Sequence, residues 1–203
     1  MIKEEIGKNG IVIEDATIDD VPAIVKLQKS FVRTPEILSD EDAQHGFLVY
    51  EMGSEELIDI ISNVRHVIKV AKKNEKLIGY LIGYDMKRIL EKDPDWLDGF
   101  EALDKNIDHK EIFGGDDVIY LKQVAIDRSE AKSGIAKQLF NDVSRASVIA
   151  GFRHQIGEIL FVPRRNLASE KLIVNNLGFN VIGYQTDKMQ RKWTVVAQTL
   201  VTR

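Results

Sequence analysis

The 203-residue sequence contains no cysteine, which removes disulfides, thiolate nucleophiles and cysteine-ligated zinc from consideration. Its histidines, His45, His66, His109 and His154, fall in no ligand spacing of the H-x-x-x-H kind, so no metal is expected. Neither sign of charge dominates. A formal net charge of −4 gives no support for broad binding to nucleic acid or to an anionic membrane. No apolar run approaches bilayer-spanning length, and Met1 to Gly10 lacks the apolar core of a signal peptide, so a cytoplasmic location is expected. Internal repeats and low-complexity tracts are missing as well. With 44% hydrophobic and 30% charged residues, the chain reads as one globular domain over 1–203, carrying one insertion.

Periodicity orders the rest. Ile11 to Thr17 reads as a strand, followed by N-cap candidates, an early proline at Pro22 and a helix through about Phe31. Arg33 to Gly53 reads as loop, and Glu55 to Val64 as a short amphipathic helix. His66 to Ala71 and Leu77 to Met86 are β-rich and separated by the charged turn Lys72 to Lys76, which predicts an antiparallel pair. Strands are then expected at Tyr120 to Ile126, Gly157 to Val162, Phe179 to Tyr184 and Thr194 to Leu200, with helices from Ile135 and over Ser169 to Asn176. The acidic segment Lys87 to Asp117 is too long for an ordinary connection, which predicts helices of its own or a lid hinged at Phe113-Gly114-Gly115.

The stretch Ile126-Asp-Arg-Ser-Glu-Ala-Lys-Ser-Gly-Ile-Ala-Lys137 takes a strand into a helix through small residues. The first N–H groups of a helix lack intrahelical partners and sit at the positive end of its dipole, so the turn is suited to an anion. A P-loop does not fit, because no G-K-[ST] follows, and the glycines of a dinucleotide fingerprint are missing. Downstream, Leu160-Phe-Val-Pro-Arg-Arg-Asn-Leu-Ala-Ser169 and Gly178-Phe179 give a strand, an asparagine, a helix and a Gly-Phe stop.

This pairing of motifs resembles the GNAT family of N-acetyltransferases, with Ala131-Lys-Ser-Gly-Ile-Ala136 in the place of Q/R-x-x-G-x-G/A and Asn166-Leu-Ala-Ser169 in that of N-x-x-A/S. The resemblance spans Tyr120 to Phe179 by motif and Ile11 to Leu200 by element order. It implies an α/β (α+β) fold: a mixed, mostly antiparallel twisted sheet of about seven strands flanked by helices and splayed at two central parallel strands. It also implies acetyl-coenzyme A as co-substrate. The pyrophosphate would lie on Ala131, Lys132, Ser133, Gly134, Ile135, Ala136 and Lys137, and the pantetheine arm along Val124, Ala125 and Ile126, with Asn166 and Ser169 beside it.

The departures are Ala131, where relatives carry Gln or Arg, and Val174 or Ile173, where many carry a tyrosine that protonates the departing thiolate. Tyr120 and Lys122 match the positions where relatives place a base. The base candidates are Tyr120, Asp85, Glu158 or a water chain. The reading is an N-acetyltransferase that acetylates a primary amine of a small molecule or peptide, with a homodimer left open and neither nucleic acid nor membrane as partner. The alternative is a non-catalytic acyl-coenzyme A binding or sensing domain of the same fold.

Overall fold

The computed structural model describes residues 10–34, 37–106 and 108–200. Met1 to Asn9, on which the reading of the N-terminus rests, lie outside them. In chain order the elements are β1 (Ile11–Asp15), α1 (Val21–Phe31), α2 (Asp40–His45), α3 (Ser54–Ile61), β2 (Val67–Lys73), β3 (Lys76–Asp85) and α4 (Met86–Lys92). Then follow β4 (Phe100–Ala102), α5 (His109–Gly114), β5 (Val118–Ile126), α6 (Ile135–Ile149) and β6 (His154–Val162). The chain closes with α7 (Leu167–Glu170), extended by a π-helical turn over Lys171–Asn176, and with β7 (Asn180–Thr186) and β8 (Lys192–Thr199).

All strands join one sheet in the order β1-β2-β3-β5-β6-β8-β7-β4. Every neighbouring pair is antiparallel except β5 and β6. The sheet has eight strands where the sequence predicts about seven. The additional strand, β4, comes from the Lys87 to Asp117 segment and pairs with β7 at the sheet edge. Its three residues are too short to show an alternating pattern.

Each face of the sheet buries a different set of helices. On one, Val21, Ile24 and Phe31 of α1 recur at helical spacing and pack with Leu57 and Ile60 of α3 against Val70, Tyr80, Ile82, Tyr84, Tyr120 and Ile156. On the other, Ile135, Leu139, Phe140 and Val143 of α6 cover Ile78, Leu81, Ile119, Leu121 and Val196. Leu139 and Val143 are fully buried, and each such side chain contributes roughly 1.5–3 kcal/mol.

The hairpin of β2 and β3 forms as expected. Asn74 and Glu75 at its tip both have positive φ (51° and 62°), as a tight two-residue turn of matching twist requires. Within the segment expected as loop, Asp40–His45 is helical. The Ser39 hydroxyl accepts the Asp42 N–H at 3.1 Å while the Asp42 carboxylate accepts the Ser39 N–H at 3.1 Å. This capping box holds a helix too short to display periodicity.

Candidate active site

The site begins where two strands part. β5 and β6 pair in parallel only from Val118↔His154 to Leu121↔Gly157, yet they run on to Ile126 and Val162. At the same level β5 is bulged, because Gln123 faces Ile82 and Leu121 faces Gly83, leaving Lys122 without an opposite residue on β3. The gap is a cleft of about 340 Å³. Phe47 to Tyr50 lie over it, Tyr120 to Val124 and Gly157 to Leu160 form its sides, and Trp96, Gln185 and Asp187 close its far end.

Beyond the bulge, β5 presents its backbone to the gap. The Asp127 N–H bonds the Ile78 carbonyl at 2.7 Å. Hydrogen-bonded and non-bonded pairs alternate along an antiparallel ladder, so Ala125 is bonded to Tyr80, whereas the N–H and C=O of Val124 and Ile126 point away from β3 into the gap. The expectation of backbone open to the pantetheine arm is corrected for Ala125. The backbone of Ala125 belongs to the sheet, and its side chain is 4% exposed in the core.

Where β5 ends, the turn from Asp127 to α6 is held from within. The Asp127 carboxylate accepts the Ser129 N–H at 3.0 Å and hydroxyl at 2.8 Å. The Ala131 N–H bonds the Arg128 carbonyl, and the Ser133 N–H and hydroxyl both donate to the Glu130 carbonyl. Ala131 and Ser133 are therefore corrected from anion donors to braces of the turn, because their N–H groups are already used. Lys132 and Gly134 take left-handed conformations, φ 68° and 86°, which turns successive N–H groups toward one concavity. The first helical bond of α6 is Gln138 N–H to Gly134 O, at 3.2 Å. The N–H groups of Ile135, Ala136 and Lys137 consequently have no intrahelical partner, and no side chain caps them. Ile135 can contribute only this N–H, since its side chain is fully buried. Lys132 and Lys137 are exposed beside it.

Deep in the cleft, the Tyr120 hydroxyl donates to the Glu158 carboxylate. Burial raises the carboxyl pKa of Glu158, opposed by the Tyr120 hydrogen bond and by the nearby Lys122. Burial also pushes the Tyr120 phenol well up, reinforced by the charge of Glu158, so it stays protonated and acts as a donor. Lys122 lies over the rings of Tyr50 (5.0 Å) and Tyr120 (5.9 Å), and burial lowers its pKa. Tyr50 donates to Glu56 at 2.8 Å, and burial with that carboxylate lifts its phenol to about 12.

Asp85 does not reach this site. It caps α4 by accepting the Lys87 N–H at 3.1 Å, pairs with Arg65 at 2.8 Å, and is not among the cleft residues. Its place after β3 gives it the role of a helix cap. Asn166 does line the cleft, but its side chain is committed: Oδ1 accepts the Ser169 N–H at 3.2 Å and Nδ2 donates to the Phe47 carbonyl at 3.1 Å. Ser169 and Ile173 lie next to it on the cleft wall.

At the start of the expected Phe113-Gly114-Gly115 hinge, Phe113 is 1% exposed and packs edge-on against Trp96 and Phe100 at 5.6 and 5.3 Å. The sequence reading did not single out Gln185, 3% exposed, whose Nε2 donates to the Trp96 carbonyl at 2.8 Å and whose Oε1 is buried without a hydrogen-bond partner. A lone glutamine on a half-buried strand carries no sequence signal for this. Among the described residues no group of three or more His, Asp or Glu could hold a metal, and no helix is long and apolar enough to cross a membrane.

Set beside solved structures, the chain has the fold of the GNAT acetyltransferases. A GNAT-family acetyltransferase from Streptococcus pneumoniae matches with a TM-score of 0.58 at 13% identity, covering 94% of this chain and 99% of that one. YncA from Salmonella typhimurium, solved with its cofactor acetyl-CoA, matches with a TM-score of 0.58 at 12% identity over 96% of each chain. An aminoglycoside 6'-N-acetyltransferase complexed with coenzyme A matches with a TM-score of 0.61 at 12% identity, over 94% of this chain and 98% of that one. No family model matches the sequence and no curated protein matches it, so the likeness is one of fold.

Proposed function

We propose that the protein is an acetyl-coenzyme A dependent N-acetyltransferase acting on a primary amine of a small molecule or peptide. The observation that carries this reading is the parting of β5 and β6 after Leu121↔Gly157, which opens a cleft holding the half-buried Glu158 carboxylate beside the strand that runs on into the anion-suited turn. The coenzyme would set its diphosphate on the free N–H groups of residues 135–137 and run its amide-bearing arm along the unpaired backbone of Val124 and Ile126. Solved proteins of the same fold hold acetyl-CoA or coenzyme A, which supports the choice of ligand.

For the chemistry, an acceptor amine must lose a proton as its nitrogen attacks the thioester carbonyl. Glu158, raised toward the working pH by burial, is the best-placed base. Tyr120 orients that carboxylate and opposes the upward push of burial on its pKa. A backbone N–H of β5, such as that of Val124, would polarise the carbonyl. With aliphatic residues at Ile173 and Val174, the thiolate would take its proton from water or from the outgoing ammonium.

The test is thiol release from acetyl-coenzyme A across a panel of amines, alongside calorimetry with coenzyme A. Binding with amine-dependent thiol release establishes the enzyme. Binding without turnover on any amine favours the acyl-coenzyme A sensing alternative.

A further inference from the structure

Three lysines of β2 are neutralised in pairs, as is Lys92 at the end of α4. Lys69 meets Asp15, Lys72 meets Asp20, and Lys73 meets Glu130, each at 2.7 Å, while Lys92 meets Glu56 at 2.8 Å. Lys122 is different. It occupies the β5 bulge at the level where β5 and β6 part, and its ammonium faces aromatic rings instead of a carboxylate. Among the described residues it makes no ion pair. The ionisable groups around it are Glu158, Glu56, Lys92 and Arg191, with Tyr50 and Tyr120 in ring contact. A lysine desolvated this way gives up its proton more easily and becomes a better nucleophile.

Residues 126, 124 and 122 lead along β5 from the anion-suited turn to the cleft, which Val124 and Lys122 line. A coenzyme lying along that edge, as the proposed function requires, brings its thioester to the level of Lys122. We propose that Lys122 is a site of self-acetylation, taking the acetyl group of bound acetyl-coenzyme A when no acceptor amine occupies the cleft. The step rests on the acetyl-coenzyme A reading above. The lone pair of Lys122 Nζ attacks the thioester carbonyl carbon; the N–C bond forms, the C–S bond breaks and its electron pair leaves on sulfur. The nitrogen's proton passes to Glu158 and from there, through water, to the thiolate, so the products are an acetamide and free coenzyme A. Tethering on the bulged strand supplies the proximity that an exposed lysine lacks. The product loses its positive charge and fills acceptor space, so acetylation at Lys122 shuts down amine turnover.

The full-length protein is incubated with acetyl-coenzyme A and no amine. Intact mass and peptide mapping are followed over time, with calorimetry for coenzyme A run in parallel. Expected is a gain of one acetyl group, mapped to Lys122 ahead of exposed Lys137 and Lys171 and slowed by excess coenzyme A, with amine turnover falling as the modification accumulates. Lys122→Arg, checked for an unchanged circular dichroism spectrum, should gain none. Coenzyme binding without acetyl at Lys122, or acetyl spread over exposed lysines at equal rates and unaffected by coenzyme A, overturns the proposal and leaves the proposed function standing. Absence of coenzyme binding overturns both.

Discussion

The turn at the end of β5 and the cleft beside that strand present their polar groups in opposite ways. At the turn, residues 131–134 are exposed, and the groups on offer are the backbone N–H donors of residues 135–137 at the helix start. At the deep end of the cleft, Tyr120, Lys122 and Glu158 are side chains whose protonation is shifted by burial. A site made of backbone depends on chain geometry and tolerates changes of residue. A site made of buried side chains depends on single atoms.

Gly134→Glu should break the turn most completely. A Cβ at this position meets nothing within 4 Å, so the variant has room to fold. A side chain in the left-handed region costs roughly 1–2 kcal/mol, and the added carboxylate sits where the helix dipole favours an anion. Calorimetry should show coenzyme A binding lost. Gly134→Ala carries the same backbone cost without the charge, and should melt earlier yet still bind. Wild-type affinity in the glutamate variant would remove the diphosphate from this turn.

Glu158→Gln probes the deep end and should leave coenzyme A affinity unchanged while turnover falls by about 10²–10⁴. The stability effect has a definite sign. Burial raises the folded-state pKa of Glu158 above its unfolded value, so between the two values the folded chain binds more protons than the unfolded chain. Wild-type stability therefore drops as pH rises through that window, and glutamine, having no proton to lose, escapes the drop. The melting temperature of the variant relative to wild type should climb from acid to neutral pH.

The same contrast explains what could be read beforehand. The strand, turn and helix around Gly134 were legible because alternation, a positive-φ residue and helical spacing are local signals. The antiparallel hairpin at Asn74 and Glu75 and the core face of α6 were legible for the same reason. The parting of β5 and β6 is a contact between distant segments, and the bulge at Lys122 is visible only against β3. Asp85 stands among the base candidates, yet it caps α4 at the end of β3. Carboxylates at strand ends suit both roles, and only the position of Lys87 N–H separates them.

Tyr120→Phe sharpens the deep end further, with a smaller effect. The phenol's hydrogen bond lowers the pKa of Glu158 against the upward push of burial. Removing the hydroxyl leaves that push less opposed, so the rising limb of kcat/KM against pH should move to higher pH. The plateau rate should change little. An unmoved limb would mean that Glu158 is not the group whose ionisation limits the rate.

Asn166 lines the cleft and gives the smallest kinetic effect. Its Oδ1 caps α7 and its Nδ2 holds the Phe47 carbonyl, which ties the strap over the cleft to the helix behind it. Asn166→Ala removes both bonds; losing the cap costs about 0.5–2 kcal/mol, and the stranded buried carbonyl about 1–3 kcal/mol more. Asn166→Ser keeps a capping oxygen and loses only the tie to Phe47, so it should fall between alanine and wild type in melting temperature. Because both ends of the amide are engaged within the protein, the KM for acetyl-coenzyme A should stay within a few-fold of wild type in the serine variant. A rise of about tenfold, equivalent to roughly 1.4 kcal/mol, with an unchanged melting temperature would instead make Asn166 a direct contact of the coenzyme arm and extend the side-chain-built end of the cleft toward the turn.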